Sequence, residues 1–188
     1  MSSHHVVKEK QEPGLLILDP AGFDLEYLGQ LLEWSPTVVV ADTVLAGAGL
    51  PDIKVDGVIT ADPDLPVQRH ARRILSRGDP LEAGLRYFLD AGYPALNIIL
   101  KNFDHRHYSE FAEQIGLVIF SGSRKYFPIR PGFSKWKVKG ELLEVVQPAL
   151  IGSLTNLEPV SDRLFRVTND GFCSLSFSGP FIFVAEEL

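Results

Sequence analysis

Apolar residues fall into two rhythms along this chain. In the first two thirds, short apolar runs alternate with segments whose apolar positions recur every three or four residues. Residues 14–19 (GLLILD) are a run bounded by turn residues. Residues 24–34 follow with Leu25, Leu28, Leu31 and Leu32 at helical spacing, Asp24 as candidate N-cap and Pro36 as the stop. Residues 37–41 (TVVVA) form a β-branched run ending at Asp42, and residues 58–61 give the next strand. Residues 72–75 read as a short strand. Residues 80–91 read as a helix with Pro80 in its first turn, Gly92 past its end, and Leu81, Leu85, Phe88 and Leu89 on its apolar face. Strands at 95–100 and 117–120 and a short helix at 108–114 complete this part. Repeated strand and helix segments of this kind predict a parallel, Rossmann-like sheet covered by helices.

After about Ser121 helical spacing disappears. Residues 135–139, 142–147, 164–168, 172–177 and 181–185 read as short strands. Asn169-Asp170-Gly171 predicts a tight turn joining two of them. Beyond it Cys173, Leu175 and Phe177 alternate with Ser174, Ser176 and Ser178, giving one buried and one exposed face. The predicted organisation is a tail over residues 1–13, an α/β nucleotide-binding domain over 14–125 and a small all-β sandwich over 126–188. A unit of about 60 residues is marginal alone, so it is expected to pack on the first domain or on a second copy of the chain.

Composition narrows the classes. A net charge of -6 and a pI near 5.3 argue against a general nucleic-acid binder. The single cysteine, Cys173, excludes a disulfide framework and a cysteine zinc cluster within the chain, and its place in an alternating strand reads as a buried thiol. The polar N-terminal segment lacks the apolar run of a signal peptide, and no stretch reaches the roughly 20 apolar residues of a membrane span. A soluble cytoplasmic protein is expected. His4 and His5 lie in the tail and are assigned no role.

The candidate chemistry is acidic. Residues 56–64 run from an apolar strand straight into Asp62-Pro63-Asp64. Asp42 ends another run, and Asp79 opens a helix. In a parallel sheet the carboxyl ends of the strands share one edge, where ligands of open α/β sheets bind. Carboxylates gathered there repel one another unless a cation is present. Mg²⁺, held by one or two carboxylates and by substrate phosphates, suits them, and phosphoryl or pyrophosphoryl transfer is the matching chemistry. The plainer reading of each Asp is a helix cap or a turn residue. Asp104-His105-Arg106-His107 reads as a solvated loop or a metal cluster, Arg69 to Arg73 as a solvated face or a triphosphate contact, and Trp136 as a core, interface or ring-stacking residue.

The order and spacing of these segments resemble thiamine pyrophosphokinase, which transfers pyrophosphate from ATP to thiamine. That family has strands ending in A-D-G-G and G-D-F-D-S, a T-D-x-x-K-A-L helix start and a later G-G-R-x-D-H. Here Ala41-Asp42 fits the first, with Thr43-Val44 in place of the glycines. Ala61-Asp62-Pro63-Asp64-Leu65 keeps the acidic spacing of the second without its Gly and Ser. Residues 78–85 resemble the third with a one-residue shift and no lysine. Asp104-His105 matches the end of the fourth, with Leu100-Lys101-Asn102 where the glycines and arginine belong. The resemblance implies an α/β domain followed by a β-sandwich, a homodimer, ATP and thiamine as ligands, and Mg²⁺. It implies Asp62 and Asp64 as catalytic residues, Asp42, Asp62, Asp64 and Asp79 as metal ligands, and Asp104 and His105 on the substrate.

Loss of the glycines, which let backbone approach phosphates, and of the Lys and Arg, which neutralise moving charge, leaves two readings open. One is a divergent Mg²⁺-dependent enzyme yielding thiamine diphosphate and AMP, with Lys101, Arg106 or Arg124 as replacement cations. The other is a non-catalytic relative that binds thiamine or a nucleotide, or serves as a dimeric scaffold.

Overall fold

The computed structural model describes residues 12–47 and 53–188. His4, His5 and most of the expected tail lie outside the described residues. The fold is mixed α/β and falls into two compact units, divided between Lys101 and Asn102.

The first unit contains β1 (Gly14–Ile17), α1 (Leu25–Leu32), β2 (Val38–Ala41), α2 (Asp42–Ala46), β3 (Gly57–Thr60), β4 (Arg72–Leu75), α3 (Pro80–Asp90) and β5 (Ala95–Ile99). Its strands are all parallel, in the order β5-β1-β2-β3-β4. The β1, β2 and β3 strands are buried along their whole lengths, so they read as continuous apolar runs rather than alternations. Both predicted caps are present. Asp24 accepts hydrogen bonds from the Glu26 and Tyr27 amides, and Asp79 accepts one from Leu81.

The glycine in the middle of α3 has a packing reason. A Cβ on Gly84 would stand 2.5 Å from a methyl of Leu16 on β1. Gly14 of β1 likewise lies against the Phe88 ring of α3. The helix therefore approaches the central strand more closely than any side chain would permit.

The second unit holds β6 (Gly116–Ser121), β7 (Arg124–Ile129), β8 (Ser134–Lys137), β9 (Leu142–Val145), β10 (Ile151–Thr155), β11 (Leu157–Pro159), β12 (Leu164–Val167), β13 (Gly171–Phe177) and β14 (Ile182–Glu187). One set is ordered β11-β12-β9-β14-β7-β6 and the other β10-β13-β8; all their pairings are antiparallel. Leu143, Val145, Phe165, Val167 and Val184 from the first set share a core with Cys173 and Leu175 from the second. Cys173 is fully buried and its thiol donates to the Lys135 carbonyl at 3.3 Å. Burial pushes that thiol's pKa up, which keeps it protonated and unreactive.

One local expectation is corrected. The helix expected at 108–114 is a 3₁₀ turn at His105–Tyr108 followed by irregular turns. Asp104 accepts from the Arg106 amide and so starts the turn earlier than the apolar spacing indicated. The turn at Asn169–Gly171 joins two strands as expected, β12 and β13, and these belong to different sheets. Asn156 holds this corner. Its Oδ1 accepts from the Thr168 hydroxyl at 2.8 Å and the Asn169 amide at 2.9 Å, and its Nδ2 donates to the Asn169 carbonyl at 2.7 Å. Asn156 itself adopts a left-handed φ of 57° where the chain passes from β10 to β11, a conformation asparagine tolerates better than most residues.

Candidate functional site

Parallel registry places the ends of β1 to β4 on one edge of the first unit, and each strand is followed by an acid. Asp19 comes two residues after β1, and its Oδ1 accepts from the Ala21 amide at 2.9 Å. Asp42 directly follows β2 as the half-buried first residue of α2. Asp62 comes two residues after β3, its amide donating to the Thr60 hydroxyl at 3.0 Å. Asp64 donates its amide to Asp62 Oδ1 at 2.8 Å, so the two carboxylates share one tight turn and both are exposed. Asp79 follows β4 as the cap of α3.

Sequence reasoning missed Asp19. The rule that selected Asp42, an acid closing an apolar run, applies equally to GLLILD. Its position is notable because β1 lies between β2 and β5, so the strand order reverses there, and ligands of such sheets bind at that reversal. The Leu18 amide donates to the Ile99 carbonyl at 2.9 Å, fixing the turn at the reversal. A cleft of about 320 Å³ opens beside it, lined by Leu18, Asp19, Pro20, Ala21, Thr43 and Val44 among others.

The donor chemistry fits Mg²⁺. Asp62 and Asp64 offer exposed carboxylate oxygens, and Mg²⁺ needs only one or two carboxylates when phosphates and water complete its octahedron. Among the described residues no three acidic, histidine or cysteine side chains are grouped as a metal site. The structure thus joins Asp62 to Asp64 and presents Asp42 and Asp79 on the neighbouring strand ends.

Two of the anticipated replacement cations are engaged elsewhere. Arg106 forms a two-pronged pair with Asp104, Nε and Nη2 reaching its carboxylate at 3.0 and 2.5 Å. Arg124 is paired with Glu144. A cation not singled out individually stands beside the acidic turn instead. Arg73 of β4 donates through Nε to the Leu65 carbonyl at 2.8 Å, one residue past Asp64. Arg77, exposed between β4 and Asp79, is a second.

Asp104 and His105 belong to the second unit. The Arg106 hydrogen bonds hold the Asp104 carboxyl far below the usual carboxylate range. His105 Nδ1 lies 3.9 Å from Asp104 Oδ1. Both line a pocket of about 470 Å³ with Phe103, Arg106, Tyr126, Glu144, Val146 and Arg163. Trp136 is not a core residue; it is 54% exposed on β8. Arg69 and His70 are exposed in a turn, Asn156 is committed to Thr168 and Asn169, and the Ser161 hydroxyl accepts from the Leu164 amide.

No protein-family profile matches the chain, and no curated protein matches its sequence. Solved structures do. Yeast thiamin pyrophosphokinase superposes with a TM-score of 0.66 at 12% identity, over 96% of this chain and 87% of that one. Thiamine pyrophosphokinase from Bacillus subtilis gives 0.63 at 11% identity, over 93% and 98%. Thiamin pyrophosphokinase from Candida albicans gives 0.62 at 8% identity, over 94% and 90%. The chain therefore has the fold of thiamine pyrophosphokinases.

Proposed function

We propose that this protein is a divergent thiamine pyrophosphokinase-type transferase, moving pyrophosphate from ATP to thiamine to give thiamine diphosphate and AMP. The observation that carries the reading is the Asp62–Asp64 turn at the edge of a parallel sheet whose fold is shared with solved thiamine pyrophosphokinases over nearly the whole chain. Asp62 and Asp64 would hold Mg²⁺, with Asp42 and Asp79 as the further acidic groups of the edge. When bound, the ion neutralises charge on the phosphates. Arg73 and Arg77 are the cations of this chain placed to face phosphate oxygens. Asp104 and His105 are assigned to substrate. The strands of the second unit form its β-sandwich domain, and the working state is a cytoplasmic homodimer.

Incubation with ATP, Mg²⁺ and thiamine should release AMP and thiamine diphosphate in equal amounts. Absence of AMP at high protein concentration, with folding verified by circular dichroism, overturns the reading. The alternative, a relative that binds without turnover, is favoured by one group of observations: Thr43-Val44 replace the phosphate-approaching glycines, and Arg106 is neutralised by Asp104. Calorimetric titration with ATP and with thiamine separates the two, because that alternative predicts heat of binding with no product.

A further inference from the structure

The pocket that Asp104 and His105 line also holds an aromatic wall and an arginine, Arg163, to which the transferase reading assigns nothing. Phe103 and Tyr126 stack with centroids 4.1 Å apart and planes 16° from parallel, and both are only half-buried. Tyr108 and Phe183 back the Phe103 ring. With the buried Val146 alongside, the pocket has a flat, rigid apolar surface. Such a surface takes up another ring by stacking.

The charges around it are unequal. Three guanidiniums, of Arg106, Arg124 and Arg163, stand against two carboxylates, of Asp104 and Glu144. Arg106 is matched to Asp104 and Arg124 to Glu144, so the excess falls on Arg163, and His105, also in the lining, can add a donor. The Arg163 backbone is fixed, its carbonyl accepting from the Val145 amide at 2.8 Å. A guanidinium whose anchor is fixed presents a fork matched to a carboxylate or phosphate.

We infer that this pocket binds a small aromatic anion, a flat ring bearing a phosphate or carboxylate. The ring lies against the Phe103–Tyr126 wall and the acidic group meets Arg163 and His105. The two ion pairs serve to silence Arg106 and Arg124, so that the pocket is selective for one anionic group and not a general polyanion trap. The inference rests on residues of the second unit alone, and it holds whether or not the chain transfers pyrophosphate.

Phenyl phosphate is the probe, titrated by calorimetry into the full chain beside inorganic phosphate and phenol. Phenyl phosphate should bind once per chain, and each of the two fragments at least tenfold more weakly. Arg163→Gln, at an exposed position, should weaken phenyl phosphate at least tenfold without moving the melting temperature. Asp62→Asn should leave its binding unchanged. Equal binding by wild type and Arg163→Gln, no binding at millimolar concentration, or loss of binding in Asp62→Asn each overturns the inference. That last outcome would assign the ligand to the strand edge instead. Failure of the AMP assay alone leaves this site standing.

Discussion

A carboxylate just past a parallel strand can cap the next helix or face a ligand, and the two employments leave different marks. Asp79 is a cap, its Oδ1 taken by the Leu81 amide. Replacing it with Ala should lower stability by about 1 kcal/mol, seen as a fall of roughly 2–4 °C in the melting temperature. Asp62 and Asp64 are exposed and bonded only to their own turn. Asp62→Asn or Asp64→Asn should leave the melting temperature within about 1 °C and reduce AMP formation at least about 100-fold. A stability loss with unchanged turnover would make them ordinary turn residues. The presence of this pair was legible from residue order alone. Which cation stands beside it was not, because Arg73 comes from a strand eight residues later and reaches Leu65 only through the β3–β4 pairing.

Titration is also a residue-scale matter. Glu186, with 7% of its side chain exposed, meets Lys135, Lys137 and Lys125 at 2.6, 3.1 and 3.5 Å. Burial pushes its carboxyl up, but the lysine hydrogen bonds outweigh that and hold it below its ordinary value. Its stabilisation is therefore complete above the unfolded glutamate pKa of about 4.3 and is lost as pH falls through the lower folded value. Lys137 is the mirror case. Burial pulls its ammonium down, yet bonds to Glu186 and Glu141 raise it overall. Its contribution is complete below about pH 10.4 and is lost as pH rises past that. Urea titrations across pH should show a plateau with two falling flanks. Glu186→Gln should lower the plateau and flatten the acid flank; an unchanged acid flank would show that this carboxylate does not govern it.

At the scale of elements, α3 and β1 were readable because their signals are local: Pro80 and Gly92 bracket the helix, and GLLI is apolar throughout. The use of Gly84 was not readable, since it depends on Leu16 coming beneath it. Gly84→Ala should destabilise by about 1–3 kcal/mol despite a helix-propensity gain of about 1, because the added methyl meets a packed core; a higher melting temperature would show the contact to be loose. The β7 strand was hidden by Arg124, Lys125 and an internal proline. Pro128 lies beyond the residues β6 pairs with, so its missing amide costs nothing there. The corner at Asn156 braces the turn between β12 and β13. Asn156→Ala should lose about 2 kcal/mol by chemical denaturation, and Asn156→Gly should lose less, because Gly keeps the left-handed turn while giving up the same hydrogen bonds. Equal losses would mean that the side-chain bonds alone matter.

For the molecule as a whole, the alternation of strands and helices followed by strands alone was enough to anticipate a mixed α/β fold, and the solved structures share it. The pocket around Tyr126, Glu144 and Arg163 was not foreseeable. Its members are scattered over about 60 residues, and only strand pairing assembles them. Distance along the chain has a further result. The β1 strand is central in its sheet and fully buried, yet one of its two neighbours, β5, ends about 80 residues later. During synthesis at roughly 5–20 residues per second, one side of an apolar strand stays unpaired for about 4–16 s. The nascent chain should therefore be a client of ribosome-associated chaperones, and truncation before Ala95 should give aggregates rather than a smaller folded domain.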